Sequence, residues 1–160
     1  MYYRFLQVLQ SVTISLQGSL LIQHPVTQEL LINIDPQILL MIRESDIMAK
    51  LNMDIPLSVT MTCMQIERIK PYASKLRMLI IEYNKVSSQI PVCVSILMRN
   101  NRKEIECVLA RGLTELNWLS VNVEDFLDAV DKKLEKLVVL LKMVTDILDT
   151  RINVILMKMS

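Results

Sequence analysis

Glycine, proline and aromatic residues are all scarce in this sequence. Its 160 residues include two glycines, five prolines, four tyrosines, two phenylalanines and one tryptophan. So little glycine and proline leaves little material for turns, which favours a few long elements and hence helices. Because aromatic side chains are so few, we expect an aliphatic core that is rich in the 11 methionines.

Residues that could carry catalytic chemistry are also few. The single histidine, His24, excludes metal sites with two histidine ligands, and neither Gly18 nor Gly112 opens a phosphate-binding loop. The three cysteines have neither disulfide-framework nor zinc-site spacing, and we expect reduced core or near-core thiols in a cytosolic protein. They are Cys63, Cys93 and Cys107. We therefore expect no enzyme, no cofactor, no metal and no small-molecule substrate, and neither tight binding nor hydrolysis of ATP.

Charge and hydropathy exclude two further classes of partner. Lys plus Arg is 18 and Asp plus Glu is 17, so a net charge of +1 gives no reason to expect nucleic acid or an acidic membrane surface. The longest stretch without charged residues, 5–28, is interrupted by glutamines and makes neither a membrane span nor a good signal peptide. A mean hydropathy of +0.36 then indicates that the chain packs against more protein than it contains.

The first 110 residues combine helical patterns with one hairpin. We expect a helix over 1–17, a β-hairpin over 19–34 and helices over 36–110. Two apolar runs flank a turn-like segment around Pro25, which favours the hairpin. Asp35-Pro36 predicts a helix start, because the carboxylate can accept from free first-turn amides and proline has no amide to leave unpaired.

Three features divide the helical region that follows. Pro71 lies inside a long helical pattern and is expected to kink or break it near Lys70. Residues 92–97 are β-branched enough for a strand, whereas a helical alternative is favoured by its length. Gly112 is expected to end that helix, which leaves 111–121 as a connecting loop.

The strongest pattern occupies residues 122–160, which predict one long helix with Asn122 as its cap. Apolar residues alternate at steps of three and four from Leu127 to Leu148, forming a heptad seam, and further apolar residues flank it. Such a wide face suits a helix packed between several neighbours. The partner-interface candidates are Leu137, Leu140, Leu141, Val144, Ile147 and Leu148. The whole chain, 1–160, is predicted to be one mainly α segment, an elongated helical bundle or stalk with a short β-hairpin near its N-terminus.

Three stretches occur in an order shared with a known family. They are 24–36 (HPVTQELLINIDP), followed by Arg43-Glu44; 51–56 (LNMDIP); and 112–123 (GLTELNWLSVNV), with Phe126. Together they resemble the N-terminal tail region of dynein heavy chains, most closely the axonemal or ciliary ones. The third stretch, around Trp118, is the most specific. Gln28 departs from the family, which often has a turn glycine there, and Pro71 falls in a stretch that resembles unbroken helix in relatives.

The resemblance implies a structural role. Because the tail of a dynein heavy chain is a helical stalk that holds it in its complex, this chain would serve assembly and docking in microtubule-based ciliary movement, without a motor domain. The implied partners are other parts of the tail, intermediate or light chains, or a second heavy chain. The implied location is the cytoplasm, on the cytoskeleton of the ciliary axoneme. A free-standing α-helical adaptor, or a truncated regulatory product that binds partner helices, is the alternative.

Trp118 is expected to be at least half buried, so that it anchors the connection between Gly112 and Asn122 against the surrounding helices. The alternative is an exposed contact with a partner, because tryptophan is also favoured at interfaces.

Overall fold

The computed structural model describes the backbone of residues 2–159 and the side chains of that range except those at positions 2, 3 and 5. This part of the chain is mainly helical with one short antiparallel hairpin near the N-terminus, which confirms the predicted fold class. Its elements are α1 (Tyr2–Gln17), β1 (Leu21–Gln23), β2 (Leu30–Ile32), α2 (Gln37–Lys50), α3 (Leu57–Gln89), α4 (Arg99–Thr114) and α5 (Val123–Met159).

Helix α2 begins where the Asp35-Pro36 pair predicts. The Asp35 carboxylate accepts from the Gln37 backbone N–H at 2.9 Å, and Pro36 already has helical φ and ψ of −58° and −25°. At the other end, Asn52 adopts a left-handed φ of 53°, and the backbone turns back onto the last carbonyls of the helix. Asparagine tolerates this conformation better than most residues, so the sequence encodes both ends of α2 locally.

Helix α3 runs without interruption for 33 residues with Pro71 inside it. The predicted break near Lys70 is therefore wrong, whereas a kink remains a prediction. Proline removes one amide hydrogen bond, but the buried side chains Ile69, Ala73 and Leu76 hold both sides of position 71 against the core. Tertiary packing thus keeps the helix continuous.

Two other predicted boundaries shift in the structure. The strand alternative for residues 92–97 is wrong, because a single 3-10 turn at Val92–Val94 leads through further turns into α4 at Arg99. Helix α4 does not end at Gly112 but continues to Thr114. Gly112 is buried inside α4, so it contributes to the packing of this helix against its neighbours and does not terminate the helix.

Aliphatic side chains from every helix and from both strands form one buried core. The expectation of a methionine-rich core is wrong, because only Met41 and Met98 are fully buried among the methionines that the structure describes. Seven others are exposed: Met53, Met61, Met64, Met78, Met143, Met157 and Met159. Flexible, polarizable methionine side chains are common at surfaces that bind other proteins.

The hairpin pairs Leu21 with Ile32 in an antiparallel register and turns through residues 24–29. The Gln28 N–H donates to the His24 carbonyl at 3.0 Å, and His24 Nδ1 accepts from the Val26 and Thr27 N–H groups at 3.2 and 3.1 Å. Gln28 has a left-handed φ of 61°. A side chain is strained in this conformation, whereas glycine is not.

We expect Gln28→Gly to raise the free energy of unfolding by roughly 0.5–1 kcal/mol and the melting temperature by about 2 °C, because the relief of strain exceeds the entropy cost of glycine. Thermal unfolding followed by far-UV circular dichroism measures the shift. Gln28→Ala is the matched control: it removes the same side chain, keeps the strain and should not stabilise. Equal melting temperatures for the two variants would contradict the strain at position 28.

Candidate partner interface

The segment before α5 is tied to the hairpin by backbone hydrogen bonds. The Leu20 N–H donates to the Leu116 carbonyl at 3.2 Å, and Ser19 forms an antiparallel bridge with Asn117. The Leu20 carbonyl accepts from the Asn33 N–H at 3.0 Å. Residues 19–20 are therefore hydrogen-bonded both to residue 33, which follows the hairpin, and to residues 116–117, which precede α5.

Trp118 closes this junction. Its side chain is only 4% exposed, and its Nε1–H donates to the Asn33 carbonyl at 2.8 Å. The Asn33 amide Nδ2 in turn donates to the Ser19 carbonyl at 2.8 Å. The predicted burial of Trp118 is confirmed, and the exposed alternative is wrong for this fold. We call residues Ser19, Leu20, Asn33, Leu116 and Trp118 the tryptophan junction.

A short polar turn orients Trp118. Asn117 Oδ1 accepts from the Leu119 N–H at 3.0 Å and from the Ser120 hydroxyl at 3.2 Å, while the Asn117 N–H donates to Ser120 Oγ at 3.0 Å. Sequence reasoning gave no role to Asn33, Asn117 or Ser120. The Asn-x-x-Ser spacing at 117–120 is a usable turn signal, but nothing local in the sequence indicates that Asn33 would meet Trp118 across 85 positions.

Gly112 allows α4 to approach the start of α5. A Cβ atom at this position would lie 2.8 Å from Phe126 Cζ and 3.0 Å from Leu21 Cδ1. The first contact is too short for a methyl group and the second is tight, so the Phe126 ring would have to shift if residue 112 carried a side chain. Asn122 lies just before α5, where its carbonyl accepts from the Phe126 N–H at 3.1 Å; capping by its side chain stays a prediction.

Helix α5 lies beside both α3 and α4 along its first half. Lys75 Nζ of α3 lies 2.9 Å from Asp128 Oδ1, and Lys133 Nζ lies 3.2 Å from Glu104 Oε2 of α4. The first hydrogen bond raises the pKa of the Lys75 ammonium and lowers the pKa of the Asp128 carboxyl. Both ion pairs are at the surface and add little stability. They do show which residues of α3 and α4 lie next to which residues of α5.

The geometry of α4 shows where its cover of α5 stops. Gly112 faces Phe126 and Glu104 pairs with Lys133, so α4 and α5 run antiparallel. Continuing this register by one residue on each helix per step places Arg99, where α4 begins, beside about residue 138 of α5. The 37 residues of α5 extend about 55 Å, so the helix reaches well past the N-terminus of α4.

The six predicted interface residues differ in how far this chain's own core buries them. Leu137 is fully buried in this chain's own core, so it is not available to a partner. Leu140, Leu141, Val144 and Leu148 are partly buried against that core, and Ile147 is 57% exposed. Beyond them every residue from 149 to 159 is exposed, including Ile152, Val154, Ile155 and Leu156. We call Ile147 together with residues 149–156 the free end of α5.

The cysteines are less buried than expected. Cys93 and Cys107 are exposed and Cys63 is half-buried, so the prediction of three core or near-core thiols is wrong for two of them. Burial raises the pKa of the Cys63 thiol, which disfavours its reactive thiolate.

Among the described residues, no helix is long and apolar enough to cross a membrane.

Sequence comparisons identify the family. Residues 2–126, which contain α1 to α4 and the whole tryptophan junction, match the family described as "Dynein heavy chain, N-terminal region 1". The chain belongs to this dynein heavy chain family. The matched segment is the N-terminal tail region and not the ATPase motor domain.

Individual relatives agree with this assignment. The chain is 32% identical over 161 aligned residues to dynein axonemal heavy chain 5 of Mus musculus, which covers 100% of this chain and 4% of the relative. It is 32% identical over 146 residues to dynein axonemal heavy chain 8 of Homo sapiens, covering 91% of this chain and 3% of the relative. It is also 30% identical over 138 residues to the dynein gamma chain, flagellar outer arm, of Chlamydomonas reinhardtii, covering 86% and 3%. The chain thus spans only 3–4% of the length of these relatives.

Proposed function

We propose that this chain is a structural interaction segment of an axonemal dynein heavy-chain tail, which serves assembly and docking of the motor complex in the ciliary axoneme. Its partners in this proposal are other helices of the tail, intermediate or light chains, or a second heavy chain. In this proposal the tryptophan junction holds the hairpin and the helices together as one rigid unit. The free end of α5 carries the contact with the partner.

One observation carries the proposal most directly. The free end of α5 exposes a row of large aliphatic side chains, of which Ile147, Val154 and Ile155 are 57%, 46% and 57% exposed. A contiguous apolar surface in water is costly, and on a soluble protein it commonly marks a site of protein–protein contact. Membership of a family named for the N-terminal region of dynein heavy chains supports a partner of the same complex.

A double substitution on the free end tests this function. Ile147→Lys with Val154→Lys places two charges on the apolar face while both positions remain in water in the isolated chain. We expect unchanged helix content and higher solubility. In capture from ciliary extract with the full chain as bait, followed by mass spectrometry, recovery of dynein chains should fall at least about tenfold, because charged groups cannot be buried unpaired in the contact.

The matched control adds the same charge elsewhere on the helix. Thr145→Lys with Asn153→Lys changes two exposed positions that are neither three nor four residues from Ile147 or Val154, so both lie off the apolar row, and this variant should retain capture. If the Ile147 and Val154 variant still captures dynein chains, the free end is not the contact. If the unmodified chain is a soluble monomer that binds no hydrophobic dye, the exposed face itself is wrong.

A free-standing adaptor is the second candidate, and the same surface would serve it. The coding sequence that follows Ser160 separates the two functions. Continuation into the rest of a heavy chain supports the tail segment, whereas a genuine stop codon favours a separate regulatory product.

A further inference from the structure

A second surface lies away from α5, in a cleft between the C-terminus of α1, the segment that leads from β2 into α2, and the middle of α3. The cleft has a volume of about 180 Å³, and none of the residues that line it belongs to α5. Its walls are mainly aliphatic and include Ile32, Ile34, Ile38, Ile42, Ile66 and Ile69. We call this feature the α2–α3 cleft.

The size of the α2–α3 cleft fits one apolar side chain. An aliphatic cavity of roughly 150 Å³ accepts a group as large as benzene, so this cleft can take a single leucine or phenylalanine side chain. Leu39 lines the cleft and is itself 61% exposed, so apolar surface extends from the cleft onto α2. A partner side chain that enters the cleft would therefore also contact apolar surface at the cleft entrance.

The border of the cleft on α3 is positively charged. Lys70, Ser74 and Arg77 line it at steps of four and three, which places them on one face of the helix. Both cations are exposed, and neither forms an ion pair with any residue in the range 2–159. From residue 68 to residue 81, α3 carries four cations and no acidic residue. Of these cations, Lys75 is paired with Asp128, so Lys70 and Arg77 are available to carboxylates of a partner.

We propose that the α2–α3 cleft docks an amphipathic helix of a partner protein that inserts one leucine or phenylalanine knob and places acidic residues on the turns beside it. Lys70 and Arg77 are seven positions apart, about 10 Å along α3, which is the spacing of two carboxylates separated by two turns on a helix lying along it. Docking of an amphipathic helix into an apolar groove is a common mode of recognition. This inference is independent of the free end of α5 and gives the chain a second partner surface.

Three synthetic helical peptides test the chemistry with the full chain. The first has leucines on one face and glutamates on the adjoining turns, the second replaces the glutamates by lysines, and the third replaces the leucines of the first by alanine. Methyl NMR of the chain locates binding, because Ile34, Ile38, Ile42, Ile66 and Ile69 line the cleft and none lies on α5. We expect the first peptide to shift these methyl resonances, and the other two to bind at least tenfold more weakly.

Charge reversal then assigns the binding to the two cations. Lys70→Glu with Arg77→Glu should weaken binding of the glutamate peptide at least tenfold and favour the lysine peptide. Lys85→Glu with Lys103→Glu makes the same change at exposed positions outside the cleft and should leave binding unaltered.

Several results would overturn the proposal. Equal shifts from the glutamate and lysine peptides would remove the acidic requirement, and the absence of shifts at the five isoleucines would remove the site. Shifts of the same methyl groups on concentrating the chain alone would assign the cleft to a second copy of this chain. None of these outcomes depends on capture by the free end of α5, so the two proposals fail separately.

Discussion

Trp118→Ala is expected to lower the free energy of unfolding by about 3–5 kcal/mol, the range for removing a buried aromatic side chain. The side chain is 4% exposed and lies beside the Asn33 carbonyl, so its loss leaves a cavity in the core. It also removes the 2.8 Å hydrogen bond to the Asn33 carbonyl, which then has no donor from Trp118. Since domains are commonly stable by about 5–15 kcal/mol, this single change removes a large share of the total.

Urea unfolding followed by far-UV circular dichroism measures the loss. Trp118→Phe is the intermediate change: it keeps an aromatic ring but removes the indole N–H and part of the ring volume, so it should cost less than Trp118→Ala, about 1–3 kcal/mol. The fluorescence of the unmodified chain gives an independent check. An emission maximum equal to that of free indole in water would refute burial, and an unchanged unfolding midpoint for Trp118→Ala would refute the anchoring role.

The parts of the fold that were predictable are those set by local chemistry. Asp35-Pro36 begins α2 because a carboxylate and a proline both suit a first turn, and no distant residue is needed. The hairpin was predictable because two apolar runs flank a turn. The helical seam of α5 extends over many residues, so its period is clear even without a structure.

The predictions from sequence that are wrong concern residues whose local structure is determined by tertiary packing. Pro71 should interrupt a helix by local rules, yet the buried neighbours on both sides keep α3 continuous. By local rules Gly112 should end a helix, yet it lies buried inside α4, where a Cβ atom would crowd the Phe126 ring. The tryptophan junction depends on contacts between residues 33 and 118, and such contacts leave no local pattern. Sequence periodicity likewise could not assign Leu137 to the core and Ile147 to the surface, because both lie on the same apolar face of α5.

Leu137 and Ile147 therefore give the sharpest test of where the core ends. Leu137 is fully buried, so Leu137→Asp would place a carboxylate in an aliphatic environment with no partner, and we expect a loss of at least about 4 kcal/mol. Ile147→Asp makes the same chemical change ten residues later on the same helix, where the side chain is 57% exposed. It should alter the free energy of unfolding by no more than about 0.5 kcal/mol.

Urea unfolding of both variants at neutral pH provides the comparison. A large cost at Leu137 with little at Ile147 means that the Ile147 side chain lies outside the core of this chain and that the free end of α5 is left for a partner. A similarly large cost at Ile147 would mean that the end of α5 is covered in solution, by a second copy or by another part of the chain. The unfolding midpoint of Ile147→Asp measured at two protein concentrations distinguishes these cases, because only cover by a second copy depends on concentration.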